Sequence, residues 1–251
     1  MKNMPSFSRR PRAGFTLVEL LVVIAIIGIL ASMSLAVIPK VMNSTRKTKA
    51  KLEMQDIATA IQKYDSDYGR FPVSPGVQTA ANGADFTYGG SLLAAAGFPA
   101  VNTTNNSEVI AILMNYTNYP SGSGPTVNNG YVKNPQKTVF LNARMSGDNT
   151  LPGVGTDLIY RDPWGNPYVI TMDLNYDEQS KDALYSLDMV SGFNKTSANP
   201  GLNGLVNPDN TANNFRFHAK MMVWSAGVDK KFDDQTPANQ GVNKDNVVSW
   251  Q

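Results

Sequence analysis

The chain has no cysteine and a single histidine, His218. The first absence excludes disulfides and thiolate metal sites. The second leaves little material for imidazole catalysis or a multi-histidine zinc site. No nucleophile elbow, phosphate loop or metalloprotease signature occurs in the 251 residues, and no internal repeat. Charge is scarce too: 17% of residues are charged and the formal net charge is +2, too small to imply nucleic acid. A hydrophobic share of 42% nonetheless indicates a folded chain, with room for one or two domains.

What is present is concentrated at the start. Residues 1–14 form a basic leader carrying Lys2, Arg9, Arg10 and Arg12 and no acid. From Phe15 an apolar run continues to Ile38. As a helix it is roughly 36 Å long, against a bilayer core of about 30 Å. Glu19 alone interrupts it with a charge. A carboxylate there costs on the order of 2.5–3.5 kcal/mol on insertion, so it needs a partner or a purpose. The leader favours a cytoplasmic N-terminus, but Lys40, Arg46, Lys47, Lys49 and Lys51 follow the run, and charge counting alone leaves the orientation open. Gly28, Ser32 and Ser34 either admit close approach of neighbouring helices or are merely tolerated in the span.

Gly14-Phe15-Thr16-Leu17-Val18-Glu19-Leu20 closely resembles the cleavage and methylation signal of type IV prepilins and type II secretion pseudopilins. The resemblance implies that a prepilin peptidase cuts between Gly14 and Phe15 and N-methylates Phe15. The basic leader then stays cytoplasmic and the globular part faces the periplasm. Cleavage creates an ammonium at Phe15 one helical turn from Glu19, and each group lowers the desolvation cost of the other. In the family that pairing runs between neighbouring subunits during assembly.

Beyond the span, Pro39 either kinks the helix or ends its membrane portion. Met54, Ile57, Ala58, Ile61, Tyr64 and Tyr68 recur at helical spacing, with Gly69 as a stop. The expectation is one helix from Phe15 to about Tyr68, its second half packed on a soluble domain. Residues 73–156 read as a long variable insertion with short helices at Ser91–Gly97 and Glu108–Tyr116. Strands are expected at Asp157–Arg161 and Pro167–Met172, flanking a turn, and at Leu184–Val190 and Phe215–Trp224, which includes His218. The turn, Asp162-Pro163-Trp164-Gly165-Asn166-Pro167-Tyr168, resembles a segment of the major pseudopilins, with Trp164 as core packing. Asp173-x-Asn175-x-Asp177 lacks the glycine and terminal glutamate of an EF-hand and reads as a solvated acidic turn. The resemblance implies an α+β, type IV pilin-like fold, one long N-terminal helix packed on a small antiparallel sheet. Its parts are a leader (1–14), a transmembrane assembly helix (15–38) and a periplasmic domain (39–251).

Residues 223–251 resemble the calcium loop that closes the major pseudopilins. Carried over by position, Asp229, Asp245 and Asn246 would be metal ligands. Lys230 and Asp233 stand where the family has glycines, Asn246 where it has a carboxylate, and the spacer is longer, with Asp233 and Asp234 as substitute donors. A structural calcium site and a metal-free acidic turn both remain open.

The resemblance implies a structural subunit, not an enzyme, of a type II secretion pseudopilus. Its partners would be copies of itself, minor pseudopilins, the prepilin peptidase, membrane lipid, and an inner-membrane assembly platform with its ATPase. A type IV pilin or minor pilin for adhesion, motility or DNA uptake is the second reading. A membrane-anchored periplasmic enzyme is a third.

Overall fold

The apolar run and the amphipathic stretch after it form one helix, α1 (Leu17–Tyr68), in the computed structural model, which describes residues 14–251. The basic leader, apart from Gly14, lies outside the described residues. Pro39 sits inside α1 and does not end it; a proline removes one backbone donor, a local loss that the neighbouring turns carry. The chain divides into two units, Met1–Ser44 and Thr45–Gln251. In the first, the large apolar side chains from Leu17 to Met42 are all exposed. In the second, α1 buries Ala50, Met54, Ile57, Ile61 and Tyr64, while Gln55, Asp56, Gln62 and Lys63 are exposed. That three-and-four spacing puts one apolar stripe against a core. Gly69 then takes φ +63° and donates its N–H to the Asp65 carbonyl at 2.7 Å, closing the helix.

The remaining elements are short: α2 (Pro75–Ala81), β1 (Phe86–Tyr88), α3 (Gly90–Ala95), α4 (Ser107–Leu113), β2 (Gly153–Val154), β3 (Tyr160–Arg161), β4 (Val169–Met172), α5 (Asp188–Ser191), β5 (Met221–Ser225) and β6 (Val247–Val248). The main sheet has the order β1-β4-β5-β6, every pair antiparallel. One long N-terminal helix with a small antiparallel sheet is the α+β arrangement expected, consistent with a pilin-like fold.

Side chains alternate across the sheet, so its two faces are built from different residues. Ile170, Met172, Met221 and Val223 join the core that holds the α1 stripe and α4. Val169, Met222 and Trp224 join a second core with Leu93, Leu184, Tyr185 and Phe215. Both faces are therefore covered, the second largely by loops. Such loops hold only if their polar backbone groups find partners. Asp182, fully buried, supplies several of them. Its carboxylate accepts from the Leu184 and Tyr185 N–H groups at 2.9 Å each, from the Thr171 hydroxyl at 2.6 Å, and from the Trp224 indole at 3.1 Å.

That carboxylate accounts for one correction. Leu184–Val190 is not a strand; the chain turns at Asp182 and forms α5 after it. A second concerns Phe215–Trp224: the strand starts only at Met221, while Arg216 and Phe217 make isolated bridges to Val206 and Ser180. His218 consequently lies in an exposed bend rather than a strand. Of Asp157–Arg161 only Tyr160 and Arg161 are extended, and they pair with β2. Asp173 is buried rather than solvated, its carboxylate accepting from the Asp177 and Glu178 N–H groups at 3.2 and 2.8 Å. The helices expected in the insertion are present as α3 and α4, and α4 is buried throughout Val109–Leu113. The insertion also supplies β1, so it is part of the sheet.

Asp85, just before β1, accepts the Lys181 N–H at 2.6 Å through one oxygen, while the other is buried without a donor. Burial, reinforced by the charges of Asp173 and Asp177, pushes its carboxyl from 3.8 up to about 7, against the Lys181 N–H and Arg216. The folded chain thus holds a proton that the unfolded chain releases, and stability contributed below the ordinary value is lost as pH rises toward 7. Asp85→Asn keeps the acceptor for Lys181 and removes that loss. It should raise the melting temperature by a few degrees at pH 8 and leave it nearly unchanged at pH 4. Parallel melting curves of variant and wild type across this range would refute the assignment.

Candidate functional site

The head of α1 is held by a reciprocal pair. The Thr16 N–H and hydroxyl each donate to one Glu19 carboxylate oxygen at 2.8 Å, and the Glu19 N–H donates back to the Thr16 hydroxyl at 3.2 Å. This is a capping box: the first orphan donors of the helix are satisfied by a threonine and by the glutamate three places on. The Thr-x-x-Glu spacing is itself a capping signature in the sequence, beside the ion pair that an ammonium at Phe15 would offer Glu19. At Gly14 a Cβ would meet nothing within 4 Å among the described residues. Phe15 beside it is 81% exposed. Farther along, Ser32 and Ser34 donate their hydroxyls to the Ile29 and Leu30 carbonyls at 2.7 and 2.9 Å, so neither leaves a bare donor on an apolar helix. Among the described residues α1 is the one helix long and apolar enough to cross a membrane.

The second candidate lies at the other end of the chain. There the two segments singled out around Asp162 and Asp229 meet. Asn166 donates to an Asp162 carboxylate oxygen at 2.8 Å and to the Gly227 carbonyl at 2.9 Å. The Ser225 hydroxyl donates to the same carboxylate oxygen, and the Gly227 N–H to the Ser225 hydroxyl at 3.0 Å. Burial pushes the Asp162 carboxyl up, opposed by the donors from Ser225, Asn166 and Trp164. Trp164 is buried with the α1 core, as expected of a packing residue. Nothing local in either segment announces the contact.

Asp245 closes the loop. One carboxylate oxygen accepts the Val228 and Asp229 N–H groups at 3.0 and 3.2 Å. Gly227, at φ +70°, leaves room for this approach, because a Cβ would stand 2.3 Å from the Asp245 carbonyl oxygen. Lys230 also has positive φ, +61°, the left-handed region that favours glycine. Asp229 accepts the Lys231 N–H at 2.9 Å. Asn246 donates to the Tyr185 hydroxyl at 3.2 Å and buries its carbonyl oxygen without a protein donor. Asp233 is committed elsewhere: its carboxylate accepts from Thr236 and Gln235, and its N–H donates to Asn243.

Whether this loop suits a calcium ion depends on oxygens. Asp229, Asp245 and the orphaned Asn246 oxygen are donors of the right chemistry. No group of three acidic, histidine or cysteine side chains gathers for a metal among the described residues. Backbone carbonyls and water must therefore supply most of the six to eight oxygens calcium takes. Independently of any ion, Asp245→Ala removes the acceptor of two backbone donors. Amide exchange at Val228 and Asp229, measured in EDTA, should accelerate by about tenfold or more; unchanged exchange would show that the carboxylate does not hold the loop.

Comparison with known proteins places these observations. Residues 9–35 match the family model described as the prokaryotic N-terminal methylation motif. The chain is 40% identical over 67 residues to the type II secretion system core protein G of Pseudomonas aeruginosa, covering 26% of this chain and 45% of that protein. It is 38% identical over 69 residues to the protein of the same name from Aeromonas hydrophila, covering 26% of this chain and 46% of the relative. The matched stretch thus spans less than half the length of these curated relatives. No solved structure matches. The chain thus carries the prokaryotic N-terminal methylation motif and, over about a quarter of its length, is similar to type II secretion system core protein G.

Proposed function

We propose that this chain is a structural subunit of a type II secretion pseudopilus. The observation that carries the reading is the joining of the methylation motif to an exposed apolar helix whose head holds Glu19. The subunit waits as a single-pass protein of the inner membrane, its domain in the periplasm, and assembles head-to-tail through its N-terminal helices. Such a heterologous, non-closing contact generates a helical filament. Minor pseudopilins, the prepilin peptidase and an assembly platform with its ATPase are the partners this requires.

Cleavage converts the Phe15 nitrogen into an ammonium next to the Thr16–Glu19 cap. Mass spectrometry of the protein from cells carrying the secretion system should find an N-methylated Phe15 terminus, and Glu19→Ala should reduce filament yield at least about tenfold. A retained leader, or normal filaments from the variant, would remove this reading.

We also propose that the loop around Asp229, Asp245 and Asn246 holds a structural calcium ion, which supplies positive charge to the orphaned amide oxygen. The residues themselves hold the loop against the sheet, through Asp245 to the 228–229 backbone and through Asn166 to Gly227. Calcium at 100 times its dissociation constant stabilises a folded state by about 2.7 kcal/mol. Millimolar calcium should therefore raise the melting temperature by several degrees over EDTA, and Asp245→Ala should abolish the difference. Coincident curves for the wild type would dismiss the ion.

A further inference from the structure

Between positions 40 and 52 the chain places five cations, Lys40, Arg46, Lys47, Lys49 and Lys51, and no carboxylate. From 52 to 251 the balance reverses, with 13 lysines and arginines against 19 aspartates and glutamates. Two of the five have partners within the chain. Lys49 lies 3.7 Å from Glu53, and Lys51 donates to the Gln251 carbonyl at 3.3 Å. Lys40 and Arg46 are exposed and Lys47 is half-buried. None of the three forms an ion pair among the described residues.

Their position along α1 identifies what they meet. The apolar run ends at Ile38, and α1 continues through all three residues. On a helix, Lys40 comes about 3 Å after Ile38, and Arg46 and Lys47 about 12–14 Å after it. The headgroup layer extends roughly 5–8 Å beyond the hydrocarbon, and long cationic side chains bend back toward it. An anionic surface attracts charge over a Debye length of about 8 Å at physiological ionic strength. Lys40 thus stands among the headgroups, with Arg46 and Lys47 inside the range of their charge. Lys40 and Lys47, seven positions apart, share one side of the helix.

We infer that Lys40, Arg46 and Lys47 form a surface for anionic phospholipid headgroups, holding the subunit at the membrane before assembly. The inference rests on the reading of 15–38 as a membrane span. The carboxylates of a second copy are the rival occupant. They are less favoured because the three cations directly follow the apolar run along α1, where the inserted chain meets headgroups before it meets another subunit. Headgroup phosphates meet these cations as soon as the run is inserted.

The test uses the full chain reconstituted in vesicles containing spin-labelled lipid, with electron paramagnetic resonance reporting the motionally restricted fraction. Spin-labelled phosphatidylglycerol should be restricted about fivefold more strongly than phosphatidylcholine, the scale of one cation at a charged surface. The triple variant Lys40→Gln, Arg46→Gln, Lys47→Gln should show no preference, with its circular dichroism unchanged. Equal restriction of both lipids by the wild type overturns the inference while leaving the span intact. So does a triple variant that keeps the preference yet fails to form filaments, which assigns the cations to a second copy. Absence of any restricted lipid would instead refute the span itself.

Discussion

One helix has to satisfy two surroundings. Along Leu17–Met42 its apolar side chains are exposed on every side, which suits a span and not a core. From Ala50 onward the apolar residues narrow to a stripe that the protein itself covers. The same backbone hydrogen bonding serves both halves, because a helix satisfies its own N–H and C=O groups whatever solvent surrounds it. Only the side-chain pattern changes, and it changes where the cations gather, between Lys40 and Lys51.

The domain depends on that stripe, but also on what covers the opposite face of the sheet. An antiparallel sheet can leave one face to water. This one does not: Trp224 and Met222 lie in a core closed by Tyr185, Phe215 and Trp250 from loops. Loops make an apolar layer only when their backbone groups are satisfied. Asp182 does this at one corner, and Asp162 with Asn166 and Ser225 at another. Burying a carboxylate is costly unless donors surround it, and each of these accepts at least four hydrogen bonds. The second layer is therefore specified by polar side chains as much as by apolar ones.

This division explains what the sequence discloses and what it hides. Helix α1 and its stop at Gly69 follow from spacing within a few turns, and the Thr16–Glu19 cap follows from a four-residue pattern. Strand β1 escapes notice because three residues in a loop-rich region carry no periodicity, and its identity comes from pairing with β4 at residues 170–172. Leu184–Val190 looks like a strand by composition, yet Asp182 captures its first two N–H groups and turns it. The contact between Asn166 and Gly227 is invisible for the same reason: both partners are local turns, and only the folded sheet brings them together. What is non-local in space was not legible in order.

The same reasoning bears on Glu19. Read as a charge in an apolar run, it is a carboxylate that needs a partner or a purpose. The capping box changes its energetic starting point, since two hydrogen bonds from Thr16 to the carboxylate already compensate part of its desolvation. A neighbouring ammonium then does not rescue an isolated charge. It must add to, or replace, a satisfied cap that already stabilises the start of the helix. Under the filament reading, the assembly contribution of Glu19 is thus the difference between two paired states. Differences of that kind are smaller than the cost of a bare buried ion, and they suit a contact that forms only after the leader has been removed.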